Sequence, residues 1–196
     1  MTELRDQDDA FTYGDELLVG KRVRLRATRD DDLPAVAAWL MDPAIKATQA
    51  AVVLPRSEAA TREQVAEWVA NKSATAGFSV ETLGDAPELV GHVSLFGIGV
   101  KGRSATLGIV LGRQFVGRGY GTDAVRVIVS YGFREFGLHR IQLDVAGYNV
   151  QGIAAYRKAG FVEEGRRREA LLHDGHWYDE VLMSILEQDW RAAATA

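Results

Sequence analysis

Three glycines alternate in the stretch Val116–Ala124, which joins an apolar run to a pattern typical of a helix. Glycine lets a backbone bend tightly and approach a ligand without interference from a Cβ atom. The helix that follows directs its free N–H groups and its positive dipole end at the same point. Together these features predict a cradle for an anion, most often a phosphate.

A mononucleotide P-loop is one phosphate site with a similar spacing of glycines. Gly112 to Gly119 has the required gap, but Arg118 stands where that motif needs lysine. Gly119 also stands where the motif needs a hydroxyl for Mg²⁺. Two working groups are missing, so a P-loop is excluded.

A dinucleotide site is the second alternative. Gly119, Gly121 and Ala124 fit a G-x-G-x-x-A pattern, and Asp144 follows 20 residues later on a predicted strand. Such a carboxylate binds the ribose in nicotinamide domains. However, about 50 residues remain after Asp144, and three predicted strands precede the motif, whereas a doubly wound domain begins with it. The topology therefore counts against this alternative.

The elements that position the loop follow from hydrophobic periodicity and turn residues. Strands are predicted at 22–26, 77–83, 89–98, 104–112, 140–145, 161–171 and 178–186. Helices are predicted at 34–40, 57–74, 124–137 and 150–158. Residues 1–18 are expected to form a loosely ordered acidic arm, 42–57 a loop, and 19–196 one domain. Mixed strands and helices without strict alternation indicate an α+β or mixed α/β fold.

The overall composition narrows the class of protein. The chain has 196 residues, a net charge of −4 and no cysteine. The absence of cysteine excludes disulfide bonds and thiolate chemistry. The negative net charge does not indicate a nucleic-acid-binding surface, which is typically basic. The acidic start does not resemble a signal peptide, and no apolar run is long enough to cross a membrane. We therefore expect a cytoplasmic protein without a membrane or nucleic-acid partner.

Three segments, taken in order, carry a resemblance to a known family. The frame from Val116 to Gly121 resembles the Q/R-x-x-G-x-G/A pyrophosphate loop of the GNAT superfamily of acyl-CoA-dependent N-acetyltransferases. Asn149–Phe161 is similar to the family's N-x-x-S/A-x-x-x-Y-x-K-x-G-F segment. Gly165–Trp190 is similar to the C-terminal hairpin of the RimJ/RimL branch. The resemblance covers about residues 20–190, with Val116 and Gly152 as departures from the pattern.

The resemblance implies a mostly antiparallel central sheet flanked by helices, in which strand 106–112 splays away from strand 140–145. Acetyl-CoA would be the co-substrate, with its acyl arm in that gap and its pyrophosphate on the glycine loop. Arg113 or Arg118 would reach the 3′-phosphate. The implied cofactor-binding residues are Ile109, Val110, Leu111, Val116, Gly117, Arg118, Gly119, Tyr120, Gly121, Thr122, Asn149 and Tyr156.

Acyl transfer from a thioester to an amine needs a neutral amine, a polarised carbonyl and a proton for the departing thiolate. The resemblance assigns Tyr156 as the proton donor, since a phenol is protonated at neutral pH. The general base stays open because Thr106 stands where related sequences often carry glutamate. His92 is one candidate, Asp179 and His176 are others, and a water chain is a further possibility. Asn149 would bind pantetheine or cap its helix. No metal is implied.

The implied reaction is direct attack of a primary amine on acetyl-CoA. The acceptor would be a small-molecule or peptide amine: a protein N-terminus, an amino acid, an amino sugar or another small amine. Residues 42–57 and the hairpin at 172–178 would wall its site. The alternatives are an acyl-CoA sensor without turnover and, less favoured, a small dinucleotide-binding domain. The resemblance also implies a homodimer.

Overall fold

The structure is a computed structural model that describes residues 3–49, 53, 57–72 and 74–194. Seven α-helices lie within these ranges: α1 Gln7–Leu17, α2 Leu33–Met41, α3 Pro43–Thr48, α4 Glu58–Val69, α5 Tyr120–Glu135, α6 Val150–Lys158 and α7 Glu187–Ala194. Seven strands accompany them: β1 Val23–Arg26, β2 Thr75–Thr82, β3 Leu89–Gly99, β4 Ser104–Leu111, β5 Arg140–Ala146, β6 Val162–His173 and β7 His176–Leu186.

All seven strands form one sheet in the order β1-β2-β3-β4-β5-β7-β6. Only β4 and β5 run parallel; every other neighbouring pair of these strands is antiparallel. Helices cover both faces. Phe78 of β2 packs edge-on against Tyr131 of α5, whereas the neighbouring Gly77 is hydrogen-bonded by Asn71 at the end of α4. The predicted mixed, mostly antiparallel sheet with flanking helices is confirmed.

The core lies between the sheet and α5. The residues that predict an apolar stripe on this helix are all buried: Ala124, Val125, Ile128, Val129 and Phe133. They pack against buried strand residues such as Val80, Val93 and Leu95. A helix whose apolar positions recur every three to four residues buries one face against a sheet in this way. This packing fixes the beginning of α5 relative to β4.

Two segments differ from the expectations. Residues 7–17 of the expected loose arm form α1: Asp6 accepts the Asp9 amide at 2.9 Å as an N-cap, and Arg134 of α5 lies 4.5 Å from the Tyr13 ring centre. No residue of α1 is buried. Within the expected 42–57 loop, Asp42 and Pro43 begin α3. An acidic N-cap and proline in the first turn both favour helix initiation. Residues 50–52 and 54–56 lie outside the described ranges.

A buried ionic network joins β1 to α2 and β2. Arg26 donates two hydrogen bonds to Asp32, at 2.6 and 2.9 Å, and a third to Glu81 at 2.9 Å. Ser79 donates to the same Asp32 carboxylate at 2.8 Å. Burial alone would raise the pKa of Asp32, but the hydrogen bonds from Arg26, the Arg29 amide and Ser79 lower it to about 2. The network therefore holds Asp32 ionised in the interior.

Candidate active site

The glycine loop has the backbone conformation that its sequence predicts. Gly117 and Gly119 have φ values of 81° and 85°, in the left-handed region that favours glycine. The first helical hydrogen bond runs from the Asp123 amide to the Gly119 carbonyl at 3.1 Å. Among the described residues, no acceptor is found for the N–H groups of residues 117–122. Six donors are thus free at the N-terminus of a 16-residue helix, an arrangement suited to an anion.

The sheet opens next to this loop. β4 pairs with β5 only at Ser104–Thr106, opposite Arg140–Gln142. Beyond that point β4 continues along β3 as far as Leu111, while β5 continues along β7 as far as Ala146. Leu107–Leu111 and Leu143–Ala146 therefore diverge, and the glycine loop follows directly at the wide end of the gap. The predicted splayed strand pair is confirmed.

Alternate residues of β4 direct their backbone groups into the gap. The Gly112 amide donates to the Val90 carbonyl of β3 at 3.1 Å. Because neighbouring residues of a strand face opposite ways in a ladder, Ile109 and Leu111 direct their N–H and C=O groups toward the gap. Val110 is predicted with them, but it turns its backbone to His92 of β3. Its contribution here is a buried side chain, which corrects that part of the expectation.

Tyr156 lies on α6, the helix that follows β5. Its ring is partly buried against the core and lies 6.0 Å from the Phe161 ring centre. Burial raises the pKa of its phenol to about 12, so the hydroxyl carries its proton at neutral pH. We find no hydrogen-bond acceptor for this hydroxyl within the part of the chain that the structure describes.

Asn149 uses both ends of its side-chain amide within the protein. Its Oδ1 accepts the Gly152 amide at 2.9 Å and caps α6, as predicted. Its Nδ2 donates to the Thr48 carbonyl at the end of α3, at 3.1 Å. The Tyr148 hydroxyl donates to the adjacent Ala47 carbonyl, and Gln49 Nε2 lies 3.4 Å from the Ile109 carbonyl. The end of α3 is therefore attached to both sides of the gap.

The candidate bases are placed less favourably. His92 is 4% exposed, its Nε2 is buried without a hydrogen-bond partner among the described residues, and burial lowers its pKa to about 4. Such an imidazole is a weak proton acceptor. Thr106 lies at the closed end of the gap, opposite Gln142. Asp179 accepts the Glu169 amide at 3.1 Å, and His176 Nδ1 lies 2.9 Å from the Asp174 carbonyl in the hairpin turn.

Other predicted residues lie around the loop. Val116 is 46% exposed, and the Arg118 guanidinium lies 6.0 Å from the Phe115 ring centre. The Arg113 side chain is 69% exposed and 4.0 Å from Asp42. Tyr120, Gly121 and Thr122 form the first turn of α5. The loop thus brings these predicted residues together.

Sequence reasoning missed residues that reach the loop from distant parts of the chain. A Cβ atom placed on Gly119 would lie 3.5 Å from Arg22 Nε, and one on Gly117 would lie 3.4 Å from Gln151 Nε2. The basic pair Lys21-Arg22 before β1 is the sequence feature that could have indicated an anion site. Only the fold shows that β1 begins beside α5, and hence that this pair lies near the loop. Within the described ranges, no group of three or more metal-ligating side chains is found, and no helix is long and apolar enough to span a membrane.

The comparisons with known proteins agree with this geometry. The spermidine N-acetyltransferase of Vibrio cholerae, solved in complex with CoA and spermine, superposes with a TM-score of 0.77 at 27% identity, over 86% of this chain and 98% of that one. A GNAT-family acetyltransferase of Bacillus anthracis gives 0.73 at 26% identity, over 87% of this chain and 98% of that one.

Two curated relatives align over shorter stretches. YjcK of Bacillus subtilis, named a probable N-acetyltransferase, is 38% identical over 57% of this chain and 62% of its own length. The [ribosomal protein uS5]-alanine N-acetyltransferase of Escherichia coli is 31% identical over 54% of this chain and 55% of its own. The aligned part of the chain thus spans less than two thirds of each. Residues 22–162, well over half of the chain, match the acetyltransferase (GNAT) domain, and the chain therefore belongs to the GNAT acetyltransferase family.

Proposed function

We propose that the protein transfers the acetyl group of acetyl-CoA to a primary amine by direct attack. The observation that carries this proposal is the open gap between β4 and β5, which ends at the glycine loop with its free amides. The loop amides hold the pyrophosphate, and the gap takes the pantetheine arm. Family membership and the CoA-bound structural relative support this placement.

The residues that line the gap supply the chemistry. The N–H groups of Ile109 and Leu111 face the position of the thioester carbonyl and stabilise the oxyanion as the amine attacks. Donors of this kind contribute about 3 to 4 kcal/mol to the transition state. Tyr156 donates its phenolic proton to the thiolate as it departs. No carboxylate stands at position 106, so the amine proton leaves through water.

The charges on the acceptor side favour an amine without additional cationic groups. Asp144 and Glu180 are paired with Arg167, and Asp179 accepts a backbone amide. Asp42 caps α3. A polyamine would need several free carboxylates, so we propose an acceptor with one amine, such as a protein N-terminus, an amino acid or an amino sugar. One relative is named for spermidine and another for an alanine of a ribosomal protein.

Two measurements test the proposal. Calorimetric titration with acetyl-CoA, CoA and NAD should show micromolar binding of the first two and none of NAD. Release of free CoA is then measured with spermidine, an alanine-initiated peptide, an amino acid and an amino sugar. Acceptor-dependent release shows an enzyme. Binding without release with any amine would favour the alternative, a catalytically weak acyl-CoA-binding sensor, which the threonine at position 106 permits.

The remaining predictions from the sequence concern the assembly and the compartment. The homodimer and the cytoplasmic location stay predictions, the first supported by the resemblance and the second by the composition.

A further inference from the structure

A cleft of about 220 Å³ lies beside the glycine loop, between the start of β1, the first turns of α5 and the end of α6. Gly119 and Thr122 form its border with the loop. Four cationic residues from three separate parts of the chain also line it: Lys21, Arg22, Arg126 and Lys158. The cleft is therefore a basic extension of the loop toward the start of β1 and the end of α6.

Backbone contacts fix the position of Arg22. Asp123 Oδ2 accepts the Arg22 amide at 2.7 Å and the Val23 amide at 3.1 Å, which joins the start of β1 to the first turn of α5. The Arg22 side chain then passes alongside Gly119. A Cβ atom built on Gly119 would lie 3.5 Å from Nε of this arginine. Its guanidinium therefore lies next to the free loop amides. Both groups are hydrogen-bond donors, so the guanidinium leaves these amides free for a ligand.

The charges in the cleft are not balanced by the protein. Among the described residues, none of the four cations has a carboxylate within salt-bridge distance. The carboxylate of Asp123 also borders the cleft, but it is buried and accepts two amides. Arg126 donates to the Lys158 carbonyl at 2.6 Å. Four positive charges against one negative charge make this a site for a further anionic group.

We propose that this cleft binds the 3′-phosphate of CoA, with Arg22 as the principal ligand, and thereby selects CoA over 3′-dephospho-CoA. The inference rests on the proposed function, since the loop must hold the pyrophosphate for a second phosphate to reach the cleft. Guanidinium groups suit a phosphate because they donate two parallel hydrogen bonds. Arg22 takes the role that the resemblance gives to Arg113 or Arg118, which lie near Asp42 and Phe115 instead.

The test compares the dissociation constants of CoA and 3′-dephospho-CoA by calorimetry, for the wild-type chain and for Arg22→Ala. We expect the wild type to bind CoA about 10- to 100-fold more tightly, the factor for one charge-assisted hydrogen bond. In Arg22→Ala this ratio should fall to within threefold, because only CoA affinity is lost. Lys101→Ala removes the same charge from the β3–β4 turn, at the far end of β4, and should keep the wild-type ratio.

The outcomes separate this inference from the proposed function. If the wild type binds neither compound, the proposed function fails. If it binds both equally, the function stands and the inference is overturned. An Arg22→Ala variant that loses affinity for both compounds by the same factor also overturns it, because Arg22 would then bind the pyrophosphate. The variant keeps its backbone amide to Asp123, and a thermal unfolding midpoint equal to that of the wild type verifies the fold.

Discussion

The Nδ2 group of Asn149 donates to the Thr48 carbonyl at 3.1 Å, while Oδ1 of the same side chain accepts the Gly152 amide. One amide therefore caps α6 and attaches α3 to it. Asn149→Ser keeps a capping oxygen but cannot reach Thr48, whereas Asn149→Ala loses both contacts. We expect Ala to cost about 1 to 2 kcal/mol of unfolding free energy and Ser less than half of that. Urea denaturation measures both; equal losses would show that the attachment of α3 contributes most of the energy.

The sheet and the site differ in how far the sequence predicts them. The α5 stripe and the strands show their periodicity locally, so they could be predicted. α3 is only six residues long, and its contacts to Tyr148 and Asn149 come from a segment far along the chain. No local pattern contains such contacts. Arg22 meets Gly119 for the same kind of reason: the fold, rather than the sequence near the loop, brings them together.

Removing Arg26, the cation shared by both carboxylates of the buried network, should strongly lower the free energy of unfolding, although Glu81 keeps its contact with Arg24. Arg26→Met leaves Asp32 and Glu81 buried without their shared partner, at a cost of about 3 to 5 kcal/mol. Arg26→Lys keeps the charge but loses the bidentate contact and should cost less. Thermal and urea denaturation measure the difference. Exposed salt bridges contribute less than about 1 kcal/mol to the free energy of unfolding. A loss this small for Arg26→Met would therefore contradict a buried network.

Asp32 should make stability fall in acid. Its pKa of about 2 in the folded state lies below the ordinary value of 3.8 for an aspartate side chain, so the folded state favours the ionised form. The resulting stabilisation, about 2 kcal/mol, is complete above pH 4 and is lost as pH falls from 4 toward 2. Unfolding free energies of the wild type and Asp32→Asn across this range test it. Asp32→Asn should be less stable at pH 7 and show a shallower decline.

His92 should add a second acid dependence at higher pH. Its pKa of about 4 in the folded state lies below the ordinary value of 6.5 for a histidine side chain, so between these pH values the unfolded chain binds a proton that the folded chain excludes. Stability should therefore fall by roughly 3 kcal/mol as pH decreases from 6.5 to 4. His92→Gln should flatten this slope. The same variant should keep kcat within about threefold, since the weakly basic, enclosed imidazole is poorly suited to general base catalysis; a hundredfold loss, the scale of such catalysis, would restore His92 as the base.

Tyr156→Phe tests the proton donor. Loss of the phenol should lower kcat by about 100-fold, a typical contribution of a general acid, and change the KM for acetyl-CoA much less. Because the pKa of Tyr156 is about 12, the wild type should show no loss of activity from this group below pH 10. Tyr131→Phe, which changes a tyrosine packed on α5, is the matched control. An unchanged kcat in Tyr156→Phe would remove the assignment.

The loop glycines can be tested against a glycine elsewhere. Gly119→Ala forces alanine into a left-handed conformation, which costs about 1 to 2 kcal/mol, and places a Cβ where a phosphate would approach. We expect at least a tenfold weaker affinity for CoA. At Gly165, a Cβ meets no atom within 4 Å and φ is not in the left-handed region, so Gly165→Ala should bind CoA normally. Equal effects of the two variants would show that the loop does not contact the ligand.

The short pairing of β4 with β5 has a consequence for handling the free protein. Beyond three residues of register, both strands present unpaired backbone groups inside the sheet rather than at its outer rim. Exposed strand edges invite pairing with other chains and aggregation. A pantetheine arm, which itself contains two amide groups, would occupy this opening much as a missing strand would. Purified protein without CoA should therefore aggregate at a lower temperature than the same protein saturated with CoA. The difference between the two aggregation temperatures should exceed the difference between their thermal unfolding midpoints.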